Sequence, residues 1–423
     1  MAAPRLFRSL VRSETQFTSC CFTRNISSNN DSRMTMVQAR AMLMEMVGLN
    51  AEFSSSKEGI AEDSIFKNIP KKQDGLPVKS LQDSYREVYI PLGTDISLRS
   101  KYTNFYKGIR FGRLLEDLDT FAGVICYTHN RRGEGLKSPL STVTALVDRI
   151  ELGDQKITAL SDIKLTGNVT WVGTSSMEVT MAVQQIVNDE WQKLMNARFL
   201  MVARNPLTGS SAAVNPLKPN TPEEEAIFQA GERNKIIRQR DAQISLLKTP
   251  PNEEETLLIH NQFQQTIDLK SSTFRIRVKP ENSVWMESTI LKNLFICHPE
   301  NRNLYNKIFG GYIMRIAFEL AWANAALYSK SRPLVRIVDD IAFRKPVEIG
   351  SLLFLSSQVV YTEQSKMQVK VHAEVVVPES GSRETTNDFH FTFDSKCDDL
   401  PQVIPKTYAE SMLYLDGKRH YES

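Results

Sequence analysis

One pattern occurs twice in this 423-residue chain. The stretch NFYKGIRFG at 104–112 returns as NLYNKIFGG at 303–311, with Asn, Tyr, Ile and the last Gly in register. Further matches follow in the same order. ALVDRIEL at 145–152 pairs with RIVDDIAF at 336–343, TSSMEVTM at 174–181 with QSKMQVKV at 364–371, and Asn196 ahead of RFLMV with Asn387 ahead of FHFTF. The successive offsets are 199, 191, 190 and 191 residues. A near-constant offset with one length change in a loop marks a duplicated domain, so whatever the first unit folds into, the second must fold into as well.

Each unit carries its signals in the same order. In the second, the strand-like WMESTILKNLFICHP leads to a turn and then to the helical GYIMRIAFELAWANAALYS, where Ile313, Ile316, Ala317, Leu320, Ala323 and Leu327 recur at helical intervals. Four β-rich segments follow: VRIVDDIAF, GSLLFLSSQVVYT, KMQVKVHAEVVV and TTNDFHFTF. One long apolar helix followed by antiparallel strands predicts an α+β unit with the sheet curled around the helix. The first unit opens at SYREVYIPL, whose alternation suits an edge strand. Between the units Thr221 is placed to cap a helix, Pro222 to fill its first turn and Glu224 to complete a capping box. The organisation read from these signals is a leader at 1–33, an N-terminal extension at 34–84, a first unit at 85–208, a helical linker at 209–284, a second unit at 285–399 and a tail at 400–423.

A formal charge of +3 gives no argument for nucleic acid. No apolar run approaches the roughly 20 residues that span a bilayer, so no integral membrane segment is expected. The first 33 residues differ from the rest: five Arg, no Lys, six Ser and only Glu14 and Asp31 as acids, with Arg5, Arg8 and Arg12 at helical spacing. That is the make-up of a mitochondrial transit peptide, with cleavage expected near residues 20 to 40.

The chain has no G-x-S-x-G, G-x-x-x-x-G-K-[ST] or G-x-G-x-x-G segment, which removes the usual signatures of serine hydrolases, P-loop nucleotidases and dinucleotide oxidoreductases. Five cysteines and six histidines show no metal-ligand spacing, so no metal site is expected. What remains is Gly310 and Gly311 directly before the second helix. They let another group approach the backbone, and the helix start offers unpaired N–H donors suited to a developing oxyanion. Tight packing alone also accounts for two glycines at a helix start.

NLYNKIFGGYIM, followed by VDDIAFRKPVEIGSLLFLSSQV, resembles the acyl-coenzyme A thioesterases of the hotdog fold, which carry an N-x-x-G-D-I-F-G-G type of segment at the start of the central helix. Two such units, joined by a helical linker behind a transit peptide, resemble the mitochondrial acyl-coenzyme A thioesterase 9 group. The resemblance covers roughly 85–208, 285–399 and the tail PKTYAESMLYLDGKRHY. It implies a tandem double hotdog forming an intrachain pseudo-dimer, with continuous sheets and antiparallel helices, and further assembly into a homo-oligomer such as a trimer of chains. It also implies hydrolysis of acyl-coenzyme A to free acid and coenzyme A in the mitochondrial matrix, by water activated at the helix and without a covalent nucleophile. Coenzyme A is then part of the substrate, and no separate cofactor is expected.

Carried over residue by residue, the resemblance meets a gap. Where relatives place Asp before IFGG this chain has Lys307, and its first-unit counterpart is Gly108. The candidate catalytic groups are therefore Asn303 and Asn104, which match the family Asn; Asp119 and Glu319, about two turns into their helices; and Gly311. Gly310, Arg344 and Lys345 are the candidate coenzyme A contacts, the last two as phosphate partners. The matched Asp148 and Asp339 read as structural. Two other readings stay open: an enoyl thioester hydratase, which needs an acid and a His together near the helix, and a non-catalytic acyl-coenzyme A binding module.

Overall fold

The computed structural model describes residues 33–47, 69–132, 138–153, 155–268, 270, 274, 277–303, 307–397 and 399–422, so the predicted leader and part of the N-terminal extension lie outside the described residues. The chain enters the fold through α1 (Met36–Val47). The first unit follows as β1 (Arg86–Ile90), α2 (Ile96–Tyr102), the long α3 (Phe111–His129), then β2 (Ser141–Leu152), β3 (Ile163–Val172), β4 (Ser176–Val187) and β5 (Glu190–Arg204). The linker supplies α4 (Pro222–Ile244) and α5 (Glu253–Gln265). After β6 (Ser283–Trp285), the second unit repeats the order as β7 (Leu291–Ile296), α6 (Gly310–Ser329), β8 (Leu334–Phe343), β9 (Leu352–Glu363), β10 (Lys366–Val376) and β11 (Arg383–Asp394). The tail adds β12 (Gln402–Ile404) and α7 (Tyr408–Glu422).

Ten of the strands form one sheet, β1-β3-β4-β5-β2-β8-β11-β10-β9-β7, and every pairing in it is antiparallel. The order reads the same from either edge once each strand is replaced by its repeat. The two units join through β2 and β8, where Val147 lies opposite Ile341 and Ile150 opposite Val338. Val147 and Val338 are matched positions of the repeat, as are Ile150 and Ile341. Val147 therefore faces the counterpart of Ile150, and Ile150 the counterpart of Val147, which is the arrangement of a two-fold interface.

The central helices cross on the same pseudo-axis. Leu114, Leu115, Leu118, Phe121 and Ile125 of α3 are fully buried, since the sheet covers one side and α6 and α1 the others. In α6 the predicted Ile313, Ile316, Ala317 and Leu320 are buried, but Leu327 is 69% exposed. A side chain at Gly112 would meet Arg315, and one at Gly311 would meet Glu116. Those pairings run in opposite directions along the two helices, so the helices are antiparallel, and at each of the two contacts one side is a glycine.

The linker is docked as well as solvated. Thr221 accepts from the Glu224 amide at 3.2 Å, while the Glu224 carboxylate reaches back to the Asn220 amide rather than to that of Thr221. From this cap α4 lies over β3 and β4: Trp171 donates to Glu232 at 2.8 Å, and buried Glu178 accepts from Asn234 and Arg238 at 3.0 and 2.9 Å. The extension and tail are also structured. Arg40 of α1 donates to fully buried Asp117 at 2.7 Å, and β12 pairs in parallel with β6.

The crossing predicts unequal outcomes for two substitutions. A Cβ at position 311 would come within 2.9 Å of the Glu116 Cα, which is backbone, whereas one at 112 would meet the Arg315 side chain at 2.9 Å. Gly311→Ala is expected to lower stability by about 1–3 kcal/mol, as overpacking does, and Gly112→Ala by less. Equal thermal midpoints for both variants and the unmutated chain would show that the crossing is looser than described.

Candidate active site

Both central helices begin from the same loop. Asn104 accepts from the Gly108 amide at 2.9 Å, and Asn303 from the Lys307 amide at 3.1 Å. Thr103 bridges to Ile109, and Arg302 to Ile308, 199 residues further on. Each Asn thus ties a loop closed and sets where the next helix starts. Asn104 also accepts from the Tyr106 amide and donates to the Ile109 carbonyl, so its side chain is taken up by its own loop. Lys307, in place of the family acid, is ion-paired with Glu348.

The two helix starts then part ways. At the start of α6, the Gly311 N–H donates to Oδ2 of Asp119 at 2.7 Å, and the Thr144 hydroxyl of β2 donates to Oδ1 at 2.5 Å. Asp119 belongs to the other unit's helix and is only 4% exposed. Burial pushes its pKa up to about 6, against the opposing Thr144 and Gly311 hydrogen bonds and with help from the nearby Glu116 carboxylate. A carboxyl so placed is ionised near neutrality yet basic enough to take a proton from water. At Gly310 a Cβ would sit 3.2 Å from Asp119 Oδ2 and 3.1 Å from the Phe343 ring, closer than ordinary contact, so only a glycine lets the acid and the ring approach the helix start this closely.

At the start of α3 the counterpart of Asp119 under the 199-residue offset is Phe318, since 119 + 199 = 318. Its ring packs edge-on against Phe111 at 5.0 Å. Glu319 is turned outward to Arg110, at 2.7 and 3.1 Å, and both side chains are about two-fifths exposed. Of the sequence candidates, Asp119, Gly310 and Gly311 are brought together and Asn303 shapes the loop leading to them. Asn104 and Glu319 lie with the opposite helix start.

Arg344 and Lys345 follow Phe343 and are neutralised by acids of β11, Arg344 by Asp388 at 2.9 Å and Lys345 by Glu384 at 2.7 Å. Both remain half-exposed. Asp148 and Asp339 turn towards basic partners outside the site: Asp148 pairs with Arg198 and Arg238, and Asp339 with His420. Sequence reasoning missed Thr144. Its only signal was a hydroxyl in a strand expected to face the helix.

Spacing along the chain also concealed a cluster in which ligand atoms of His390, Asp416 and His420, and of Asp339, Asp340 and His420, lie within 4.8 Å of one another. The His390 and His420 rings stack at 3.7 Å and 18°. Lys370 already holds Asp416 at 2.7 Å. The arrangement suits proton sharing, with His420 raised by its acids and His390 lowered by burial to about 4. Burial likewise pushes up the Cys126 thiol, and that of Cys297 to about 11, so neither is a ready nucleophile.

Comparison with known proteins gives the family of the chain. Residues 305–377 match the Thioesterase superfamily. The chain is 49% identical over 387 residues to the mitochondrial acyl-coenzyme A thioesterase 9 of Homo sapiens, spanning 91% of this chain and 88% of that protein. It is 36% identical over 368 residues to the mitochondrial acyl-coenzyme A thioesterase 4 of Humulus lupulus, spanning 82% and 68%. Among solved structures, an oleoyl thioesterase (putative) from Lactobacillus plantarum aligns with a TM-score of 0.41 and 9% identity, covering 74% of this chain and 95% of that one. With close relatives matched along nine-tenths of its length, the chain belongs to the acyl-coenzyme A thioesterase family.

Proposed function

We propose that this chain hydrolyses acyl-coenzyme A thioesters to free acid and coenzyme A in mitochondria, at one site per chain built from both units. The observation that carries the site is the buried Asp119 carboxylate of the first unit, seated on the Gly311 amide that starts the second unit's helix. In the free protein that amide is held by the acid. A bound thioester carbonyl takes the amide instead, which polarises the carbonyl and frees Oδ2 for water. Losing a hydrogen bond to its charged form makes the carboxylate more basic at the moment a base is needed. Asp119 removes a proton as the water oxygen bonds to the carbonyl carbon, the oxyanion gathers at the helix start, the carbon–sulfur bond breaks, and the thiolate takes up the proton. No separate cofactor enters.

Asn303 orients the carbonyl or the water in this reading, because its loop ends at the same helix start. Arg344 and Lys345 receive coenzyme A phosphates by exchanging their present carboxylate partners, which their exposure permits. A hydratase needs a His beside the acid. The histidine of α3, His129, is at the far end of that helix and bonded to the Asn215 carbonyl at 2.8 Å. A homo-oligomer, as the family resemblance implies, finds support in Leu294 and Ile296 of edge strand β7, which are 47% and 55% exposed. The mitochondrial leader fits a fold in which Thr35 already bridges to Tyr89 and Met36 is buried, so processing falls before Thr35.

Three outcomes follow. Coenzyme A release by Asp119→Asn should fall about 10²- to 10⁴-fold, as loss of a general base does, while Glu319→Gln stays near the unmutated rate; full activity in Asp119→Asn rejects this base. The unmutated enzyme should lose kcat/KM as pH drops through about 6, because protonation of Asp119 removes the base, and a profile flat from pH 5 to 8 would contradict it. In light scattering, the intact chain should give a mass that is a multiple of 48.0 kDa, three-fold for the trimer.

A further inference from the structure

On the pseudo-axis, a residue meets its own counterpart. Glu116 of α3 and Arg315 of α6 are such a pair, since 116 + 199 = 315. In a dimer of identical chains these positions would oppose two like charges. Here Arg315 Nε lies 3.4 Å from Glu116 Oε1, and Arg113 holds Oε2 at 2.5 Å. Glu116 is 6% exposed, and its Cα is the backbone atom that the missing Cβ of Gly311 would strike. It stands one helical turn from Asp119, so the clasp and the acid–amide contact share the same two turns of helix.

We propose that Glu116, clasped by Arg113 of its own helix and Arg315 of the facing helix, is a positioning residue that fixes the crossing of the central helices and so holds the Gly311 amide against Asp119. This rests on the reading of Asp119 as the base. The surroundings are charged on every side. Asp117, next to Glu116, is locked by Arg40 of α1 and by the Tyr102 hydroxyl of α2, and the Arg315 guanidinium lies over the Tyr312 ring at 5.2 Å. Thr144 and the Gly311 amide are the groups that face the Asp119 carboxyl from β2 and α6. Removing the Glu116 charge takes a repelling anion from Asp119 and leaves two cations uncompensated. Removing the Arg315 charge does the reverse.

The test is the pH profile of kcat/KM, with kcat, KM and the thermal midpoint, for Glu116→Gln, Arg315→Gln and the milder Arg315→Lys in the full chain. The expected result is a fall in kcat of about 10- to 100-fold in Glu116→Gln, the scale of a misplaced site, with KM within about threefold. The acid limb should move to lower pH in Glu116→Gln and to higher pH in Arg315→Gln, while Arg315→Lys stays closer to the unmutated profile. Acid limbs that stay put, or move in one direction in both charge-removing variants, would overturn the proposal, whatever the thermal midpoints do. If Arg315→Gln fails to fold, a normal profile and normal kcat in Glu116→Gln overturn it alone. Asp119→Asn, run beside them, separates the two readings, because its activity bears only on the identity of the base.

Discussion

Two helices from different units cross closely where Gly311 packs on the Glu116 backbone and Gly112 on Arg315, and the distance between the acid and the amide depends on that crossing. A side chain at position 311 would press on the Glu116 backbone and push the helices apart, moving an acid two turns along one helix away from the first amides of the other. The sheet reinforces the contact: β2 and β8 pair across the same pseudo-axis, so the layer below fixes the helix starts as firmly as the helices fix each other. Hydrogen bonds of the sheet and van der Waals contact of the glycines thus impose one geometry from two directions.

Duplication supplies two helix starts, and a buried acid faces only one of them. The difference lies in a few positions. Asp119 in the first unit corresponds to Phe318 in the second, which fills its place against Phe111 with an apolar ring. Glu319, one residue further on, is drawn to the surface by Arg110. Burial separates the two acids: Asp119 has lost water and gained two donors, whereas Glu319 keeps solvent and the Arg110 guanidinium.

Much of this was legible in the sequence because it depends on order and period. The offset matches found the repeat, the 3.6-residue pattern found α6, and GG before a helix found the place where the backbone is approached. Which acid is buried at a helix start was not legible, since Asp119 and Glu319 sit at nearly the same depth and only the opposite helix distinguishes them. Thr144 is far from Asp119 along the chain and meets it only when the sheet curls. Arg344 and Lys345 read as free cations because their partners, Asp388 and Glu384, come from another strand. No periodicity argument placed a helix in the extension or the tail, yet α1 and α7 form there by packing on their neighbours.

The site draws its acid from one unit and its amide from the other, with α4 and α5 in the segment that joins them. In an enzyme whose halves are separate chains, dilution below the dissociation constant empties the site. Here the second half is tethered, and even a flexible short tether holds its partner at an effective concentration of about millimolar. The pairing of acid and amide is therefore a property of each molecule, independent of how scarce the protein is in its compartment.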